Sequence, residues 1–396
     1  MSRILIEATP FEISDLDSDF RHLYLVFVDD QGVETVITGA PDEDGPLDFG
    51  NIEVRAGGLL EDSDVARGTD TPGSRGSREI DVGDRDPADV WAIMLQQARN
   101  IDDASLDYQP LGDNSNTVIS SVLEAVGIDP RDNLPDAVDR DEVPGLTNNL
   151  DFGTTLIGTP GDDIIVGGDE ADRLEGQDGD DALLGGRGGD VLAGGAGADR
   201  LRGEEGADRL LGGPGADEIA GNEDADLLFG GPDDDRLSGN LDSDQLYGGQ
   251  GDDLLLGNQG DDVLNGRAGD DELVGGAGDD QLNGGPGADE MRGGPGSDAF
   301  GYASLADGAD TILDFETGPG GDRLLLADLL EGFDPATSEP EAFISLSEQA
   351  GDTVVGVNAD GQDADAVALV TLAGVTGATV DTLVTDGNLI VAPATS

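Results

Sequence analysis

The stretch that decides the fold is a run of nonapeptides such as GGRGGDVLA (185–193), GGAGADRLR (194–202), GGQGDDLLL (248–256) and GGAGDDQLN (275–283). Sixteen nonapeptides follow one another over residues 158–301 without an insertion or a deletion. Position 1 is Gly, position 6 is Asp and position 8 is apolar in all sixteen. Three positions held in phase over so many repeats indicate a solenoid rather than a disordered acidic tract.

Each nonapeptide divides into a six-residue loop and a three-residue strand. The loop requires backbone conformations with positive φ, which Gly adopts at little cost. Side chains alternate along the strand, so position 8 points inward and positions 7 and 9 face solvent. One such strand cannot bury its inner face alone. Two nonapeptides therefore form one turn of 18 residues, and the turns stack about 4.8 Å apart as a mainly-β parallel β-roll.

The same stacking aligns the position-6 aspartates in two columns, because loops of repeats n and n+2 lie above one another. The first column is Asp163, Asp181, Asp199, Asp217, Asp235, Asp253, Asp271 and Asp289, and the second is Asp172, Asp190, Asp208, Asp226, Asp244, Asp262, Asp280 and Asp298. Stacked carboxylates repel one another, and a hard divalent cation between them reverses the sign of that interaction. Ca²⁺ suits carboxylate and carbonyl oxygens in flexible geometry better than Mg²⁺ does.

The consensus GGxGxDxUx, where U is apolar, closely resembles the RTX (repeats-in-toxin) or hemolysin-type calcium-binding repeats of secreted bacterial toxins, proteases and lipases. The resemblance implies a right-handed parallel β-roll with Ca²⁺ held by position-6 carboxylates and loop carbonyls. Sixteen repeats allow 16 − 2 = 14 sites between repeats n and n+2. Position 4 is Gly in twelve repeats, and Glu170, Asp224, Asp233 and Asp242 replace it elsewhere. Residues 221–247 are therefore expected to bind calcium most weakly.

The composition and charge of the chain limit the kinds of molecule that it is expected to bind. The chain has 87 acidic and 19 basic residues, a net charge of −68, and all its basic residues are Arg. Such a field repels phosphate, which argues against nucleic acid and anionic membranes as partners. Cysteine is absent, so neither disulfides nor zinc-thiolate sites can form. The acidic N-terminal stretch is not a secretory signal peptide, and no apolar run is long enough for a membrane span.

Four segments are predicted: an α/β domain at 1–127, an Asp- and Pro-rich linker at 128–157, the roll at 158–301 and a β-rich region at 302–396. After the last repeat, DTILDFETG (310–318) resembles the segment that closes RTX rolls. The tail that follows resembles the C-terminal target domain of type I secretion substrates. This resemblance implies export from a Gram-negative bacterium by type I machinery. An ordinary capping β-domain is the alternative.

The N-terminal domain contains fewer sequence patterns that predict structure or function. HLYLVFVDD (22–30) and VETVITG (33–39) predict a β-hairpin. Asp86 followed by Pro87 predicts the start of a helix, and a second helix is predicted from Asn116 to Gly127. Their apolar sides are Val90, Trp91, Met94, Ala98 and Ile101 in the first helix and Val118, Ile119, Val122, Leu123 and Val126 in the second.

His22 and Ser115 are the candidate catalytic residues of this domain. His22 lies at the start of the first predicted strand, and Ser115 lies in a Y-x5-N-x-N pattern with Tyr108, Asn114 and Asn116. The order of His22 and this pattern along the chain resembles that of permuted papain-like domains of the lecithin:retinol acyltransferase type. Those domains have Cys where this chain has Ser115. Three interpretations of the domain stay open: an inactive binding module, a hydrolase that uses serine, and an unrelated fold. A zinc protease of the HExxH type is excluded by the single His, and no GxSxG motif of a lipase occurs.

Overall fold

A computed structural model of the protein describes residues 2–11, 20–28, 31, 34–41, 52–59, 76–82, 85–103, 121–128, 153–330, 333–334, 338–358 and 366–391. The chain forms two compact units, residues 1–194 and residues 195–396. No helix in these described ranges is both long enough and apolar enough to cross a bilayer.

The first unit opens with a five-stranded antiparallel sheet in the order β4-β3-β2-β1-β5. Its strands are β1 (Arg3–Phe11), β2 (Phe20–Val28), β3 (Glu34–Pro41), β4 (Ile52–Leu59) and β5 (Gly76–Glu79). The pairing of β2 with β3 confirms the predicted hairpin. Ile4 and Leu25 lie in the core of this sheet and are fully buried.

Helix α1 (Pro87–Asp103) begins at the predicted residue. The Ala88 N–H donates to Asp86 Oδ1 at 2.8 Å, as a helix cap requires. Trp91 stacks on Phe27 of β2 with ring centroids 5.6 Å apart, which packs the helix on the sheet. A second helical stretch covers 121–124 and is followed by a turn at 125–127. Gly127, where the sequence predicts that the helix stops, has φ +71°. The start predicted for this helix lies outside the described residues.

The first turns of the solenoid also belong to the first unit. Strands β6 (Thr155–Ile157), β7 (Ile164–Gly168), β8 (Arg173–Asp178) and β9 (Ala182–Arg187) pair in parallel as β6 with β8 and β7 with β9. Leu156 lies opposite Leu174, an offset of 18 residues. The predicted turn of two nonapeptides is therefore confirmed.

The N-terminal domain contacts this end of the solenoid through main-chain groups. The Gln96 side chain of α1 donates to Ile157 O at 2.5 Å and accepts from Ile157 N–H at 2.9 Å. The Val166 N–H donates to Ala125 O at 2.9 Å. These bonds satisfy strand groups that otherwise have no neighbouring turn, as an exposed sheet edge requires.

The second unit continues the parallel pattern, each strand pairing with the strand two later. Strand β10 (Val191–Ala196) spans the boundary of the units. The strands that follow are β11 (Arg200–Glu205), β12 (Arg209–Leu211), β13 (Glu218–Glu223), β14 (Leu227–Pro232), β15 (Arg236–Asn240), β16 (Gln245–Gln250), β17 (Leu254–Gln259), β18 (Val263–Ala268), β19 (Glu272–Ala277), β20 (Gln281–Asn283), β21 (Glu290–Arg292), β22 (Ala299–Gly301), β23 (Asp310–Ile312) and β24 (Arg323–Leu325).

Position 8 of every repeat is buried, which confirms the predicted core. The predicted strand length of three residues is wrong for most repeats. Strands such as β17 run for six residues, from position 7 of one repeat to position 3 of the next. The reason is that Gly257, at position 1, is buried and continues the strand inward instead of starting a loop.

Residues beyond the repeats close the second unit with an antiparallel meander. Strands β25 (Ile344–Gln349), β26 (Asp352–Val357) and β27 (Val367–Leu372) pair in that order, and β27 pairs in parallel with β23. Helix α2 (Val380–Asp386) carries a capping box at Thr379 and ends at Gly387. It leads into β28 (Leu389–Ile390), which pairs with β24. The prediction of a β-rich C-terminal region is confirmed.

Candidate metal centre

The position-6 aspartates are buried although they are ionisable. All sixteen predicted residues, from Asp163 to Asp298, are at most 4% exposed. Carboxylates are almost never fully buried unless they are paired with a cation or a hydrogen-bond donor. The structure thus places every predicted ligand inside the loops, where another group must balance the negative charge of its carboxylate.

One oxygen of each carboxylate is satisfied by the main chain. In the second unit the Asp226 N–H donates to Asp244 Oδ1 at 2.8 Å, and the Asp244 N–H donates to Asp262 Oδ1 at 2.8 Å. In the first unit the Asp163 N–H donates to Asp181 Oδ1 at 2.8 Å in the same way. The donor and acceptor are 18 residues apart in each of these bonds, which confirms that loops of repeats n and n+2 stack.

The other oxygen is buried and accepts no hydrogen bond. This holds for Oδ2 of Asp172, Asp217, Asp226, Asp235, Asp244, Asp253, Asp262, Asp271, Asp280, Asp289 and Asp298. Leaving a buried polar atom without a partner costs about 1–3 kcal/mol, and more for a charged group. The loops therefore present a row of anionic oxygens that a cation would satisfy.

The invariant Gly at position 1 explains where this oxygen lies. A Cβ on Gly203 would overlap with Oδ2 of Asp208 in the same repeat, and it would lie 2.9 Å from the Gly221 carbonyl oxygen one turn later. Gly266 stands in the same relation to Asp271 and to the Gly284 carbonyl oxygen, at 2.8 Å. A carboxylate oxygen and a main-chain carbonyl of the next turn thus share the space that a side chain would fill.

This corrects the role predicted for the position-1 glycines. Their φ angles are not in the left-handed region, which is instead adopted at positions 2 and 4 of the repeats. Position 4 tolerates Asp there, as the sequence predicts, with φ of +71°, +78° and +67° at Asp224, Asp233 and Asp242. Gly at position 1 is required for space rather than for backbone conformation.

Burial raises the pKa of the columns. The pKa of Asp226 and of Asp235 is raised to about 8, mainly by burial and further by neighbouring carboxylates that include Asp224 and Asp233. The pKa of Asp253 is raised to about 7 for the same reasons. Burial and neighbouring carboxylates therefore make the negative charge of these aspartates unfavourable.

The donor set fits a hard cation such as Ca²⁺. It consists of oxygens only, and no three or more acidic or His side chains converge on one point in the part of the chain that the structure describes. A cation here would take carboxylates from two turns and complete its shell with main-chain carbonyls, which Ca²⁺ accepts with six to eight ligands. Metals that prefer nitrogen or sulfur find neither Cys nor more than one His.

A family model for the RTX calcium-binding nonapeptide repeat matches the chain in seven overlapping segments: 157–192, 184–219, 193–228, 211–246, 229–264, 238–273 and 265–300. Residues 157–300 belong to the RTX calcium-binding repeat family. We call them the RTX repeats, and the chain is a calcium-binding repeat protein with a parallel β-solenoid. No curated protein sequence matches the chain.

Several solved structures are similar to the chain. One is the AlgE6R3 subunit of a mannuronan C5-epimerase from Azotobacter vinelandii, with 30% identity over 42% of this chain and 83% of that chain, and a TM-score of 0.23. Another is the extracellular lipase LipA from Serratia marcescens, with 19% identity, 63% and 44% coverage, and a TM-score of 0.20. The chain thus spans less than half of the lipase, and the family assignment rests on the repeats.

Two residues outside the RTX repeats were missed by the sequence analysis. The Asp289 N–H donates to Asp310 Oδ1 at 3.0 Å, and the Asp298 N–H donates to Asp322 Oδ1 at 3.0 Å. Asp310 and Asp322 therefore extend the two columns, after insertions of three and six residues relative to the 18-residue spacing. The signal that could have found them is the D-x-U pattern in DTI (310–312) and DRL (322–324).

The catalytic candidates are not brought together by any described contact. The backbone of His22 lies on β2 opposite Thr9, and its side chain lies outside the described atoms. Ser115, Tyr108, Asn114 and Asn116 lie outside the described residues. A hydrolase or acyltransferase activity of the N-terminal domain stays a prediction.

Substitution of a position-1 glycine tests the packing of the carboxylate. We expect Gly203→Ala to displace the Asp208 carboxylate and to lower the free energy of unfolding of the calcium-loaded protein by about 1–3 kcal/mol, the usual cost of overpacking. Gly161→Ala is the control, because its Cβ would meet nothing closer than 3.6 Å. Denaturant titration measures both variants, and equal stability of the two would contradict the packing.

The raised pKa values predict an inverted pH dependence without metal. Because the folded columns hold protons up to about pH 8 and unfolded Asp only up to about pH 4, acid favours the metal-free fold, and its stability is lost as the pH rises through about 6 to 8. In chelator, circular dichroism should show more β-structure at about pH 5.5 than at about pH 8.5. The opposite order would show that the buried charge does not limit folding.

Proposed function

We propose that this protein is exported by type I machinery and that its RTX repeats fold on calcium outside the cell and present the N-terminal domain there. The observation that supports the proposal is the row of buried carboxylate oxygens without partners. In this proposal the segments are a module at 1–127, a linker at 128–157, the roll at 158–301 and a cap with the export target region at 302–396.

The sixteen position-6 aspartates would hold the ions, together with loop carbonyls such as that of Gly221, and up to about fourteen Ca²⁺ would bind. Bound Ca²⁺ supplies positive charge between turns. The protein's own residues do the rest: the Asp N–H groups fix one carboxylate oxygen, and the position-1 glycines leave room for the other. Each turn then supplies half of the oxygens of the next site, so folding of one turn favours binding at its neighbour.

Calcium concentration would act as the switch between the two states. Extracellular modules bind Ca²⁺ at roughly 10⁻⁴–10⁻³ M, well above cytosolic levels. Within the producing cell the columns would carry uncompensated charge, and the segment would stay expanded. An expanded chain can pass through an export channel, and it would fold when it meets calcium. The contacts of Gln96 with Ile157 would then hold the N-terminal domain at the first turn.

The calcium step is tested on the full chain with a substitution that keeps the main-chain bond. In Asp253→Asn the Oδ1 acceptor for the Asp235 N–H is retained, and the anionic Oδ2 is lost. We expect millimolar Ca²⁺ to compact the wild type, as measured by hydrodynamic radius and circular dichroism. The Ca²⁺ midpoint should rise at least threefold in Asp253→Asn.

Asp252→Asn is the matched control, because Asp252 carries the same charge at the neighbouring position but is exposed. Its midpoint should stay within twofold of wild type. Calcium-independent compaction of the wild type, or equal midpoints for Asp252→Asn and Asp253→Asn, would contradict the proposal.

Export is tested separately by producing the full chain in a Gram-negative host with and without a type I exporter. We expect the protein in the medium only when the exporter is present, since the target region at 302–396 is read by that machinery. A cytosolic marker protein controls for lysis. Retention of the chain in cells that export a known type I substrate would refute this part of the proposal.

A further inference from the structure

The first aspartate column continues past the last RTX repeat into the segment that closes the solenoid. Asp310 is fully buried, opens β23, and accepts from the Asp289 N–H. Gly308 takes the place of the position-4 glycine, with φ +82°, and a Cβ there would overlap with the Gly287 carbonyl oxygen. The loop that precedes Asp310 therefore stacks directly on the loop of the fifteenth repeat.

This closing loop differs from a repeat because it brings a phenol to the column. Tyr302 is 4% exposed, and its hydroxyl lies beside the Asp310 carboxylate without meeting hydrogen-bond geometry. Burial, followed by the charge of Asp310, raises the pKa of Tyr302, which keeps the phenol neutral. Asp307 contributes further negative charge, and its Oδ2 accepts from the N–H groups of Ala303 and Ser304 at 2.9 and 2.7 Å.

Three buried oxygens of interacting side chains lie here, and none of them makes a hydrogen bond of good geometry. They are Oδ2 of Asp289, Oδ2 of Asp310 and the hydroxyl oxygen of Tyr302. The second column ends differently, because Asp322 accepts from the Asp298 N–H through Oδ1 and from the Glu316 N–H at 2.8 Å through Oδ2. At the end of the second column, both oxygens of Asp322 thus accept main-chain N–H groups. At the end of the first column, Oδ2 of Asp310 lies beside other oxygen atoms instead.

We propose that Asp289, Asp310 and Tyr302 form an additional Ca²⁺ site outside the nonapeptide pattern. The two carboxylates supply the charge, and the neutral phenol supplies a further oxygen of the kind that Ca²⁺ accepts. The inference rests on the proposed calcium binding of the RTX repeats, but it concerns a different ligand set.

The site ties the C-terminal meander to the RTX repeats. Asp310 pairs in register with Val370 of β27, and the Ala373 N–H donates to Ile312 O at 2.9 Å. An ion that fixes Asp310 against Asp289 thereby fixes the strand on which β27, β26 and β25 are built. Occupancy of this site would couple the order of the cap to calcium.

Terbium luminescence tests the site directly, because Tb³⁺ replaces Ca²⁺ in oxygen sites and a tyrosine sensitises its emission only at short range. We expect Tyr302→Phe to remove at least half of the tyrosine-sensitised emission of the full chain. Tyr247→Phe is the matched control, since Tyr247 stacks on Phe229 on the outer face, with ring centroids 5.1 Å apart. Emission lost with Tyr247→Phe but kept with Tyr302→Phe would overturn the site.

Stoichiometry gives an independent test. In equilibrium dialysis Asp310→Asn should bind one Ca²⁺ fewer than wild type, whereas Asp328→Asn, an exposed acidic residue of the same segment, should bind as many. Wild-type stoichiometry in Asp310→Asn would overturn the additional site and leave the calcium binding of the RTX repeats intact. A wild-type chain that binds no Ca²⁺ would instead overturn both proposals.

Discussion

The burial of carboxylate oxygens in the loops is the constraint on which the rest of the structure depends. A position-6 Asp such as Asp244 accepts the N–H of the preceding turn with one oxygen and holds the other oxygen buried beside a glycine. A thin line of Leu and Ile, one residue per repeat, is a small core for so much buried charge. In the proposed function, the charge of the columns therefore decides whether the solenoid folds, and the apolar core sets its register.

The buried carboxylate also explains why the same residue types recur at the same positions of each repeat. Position 1 must be Gly because a carboxylate and a carbonyl oxygen occupy the place of its side chain, and positions 2 and 4 must tolerate positive φ. Acidic residues at position 4 satisfy the backbone requirement but add charge, and Asp224 and Asp233 contribute to the raised pKa of Asp226 and Asp235. Local backbone tolerance and column electrostatics thus act against each other over residues 221–247.

The nonapeptide periodicity made much of the solenoid predictable from the sequence. The inward Leu237, the 18-residue pairing and the stacked aspartates follow from side-chain alternation and repeat length alone. The role of Gly203 could not be predicted, because it depends on where a carboxylate lies in three dimensions. Asp310 escaped detection because insertions break the spacing, and the contact of Gln96 with Ile157 joins residues that no local pattern relates.

If the columns need cations to fold, hydrogen exchange at the Asp N–H groups will depend on bound metal. The Asp244 N–H, which donates to Asp262 Oδ1, reports the stacking of two turns. At neutral pH it should be strongly protected in millimolar Ca²⁺ and should exchange at nearly the unfolded rate after the metal is removed. Equal protection in both states would contradict the account.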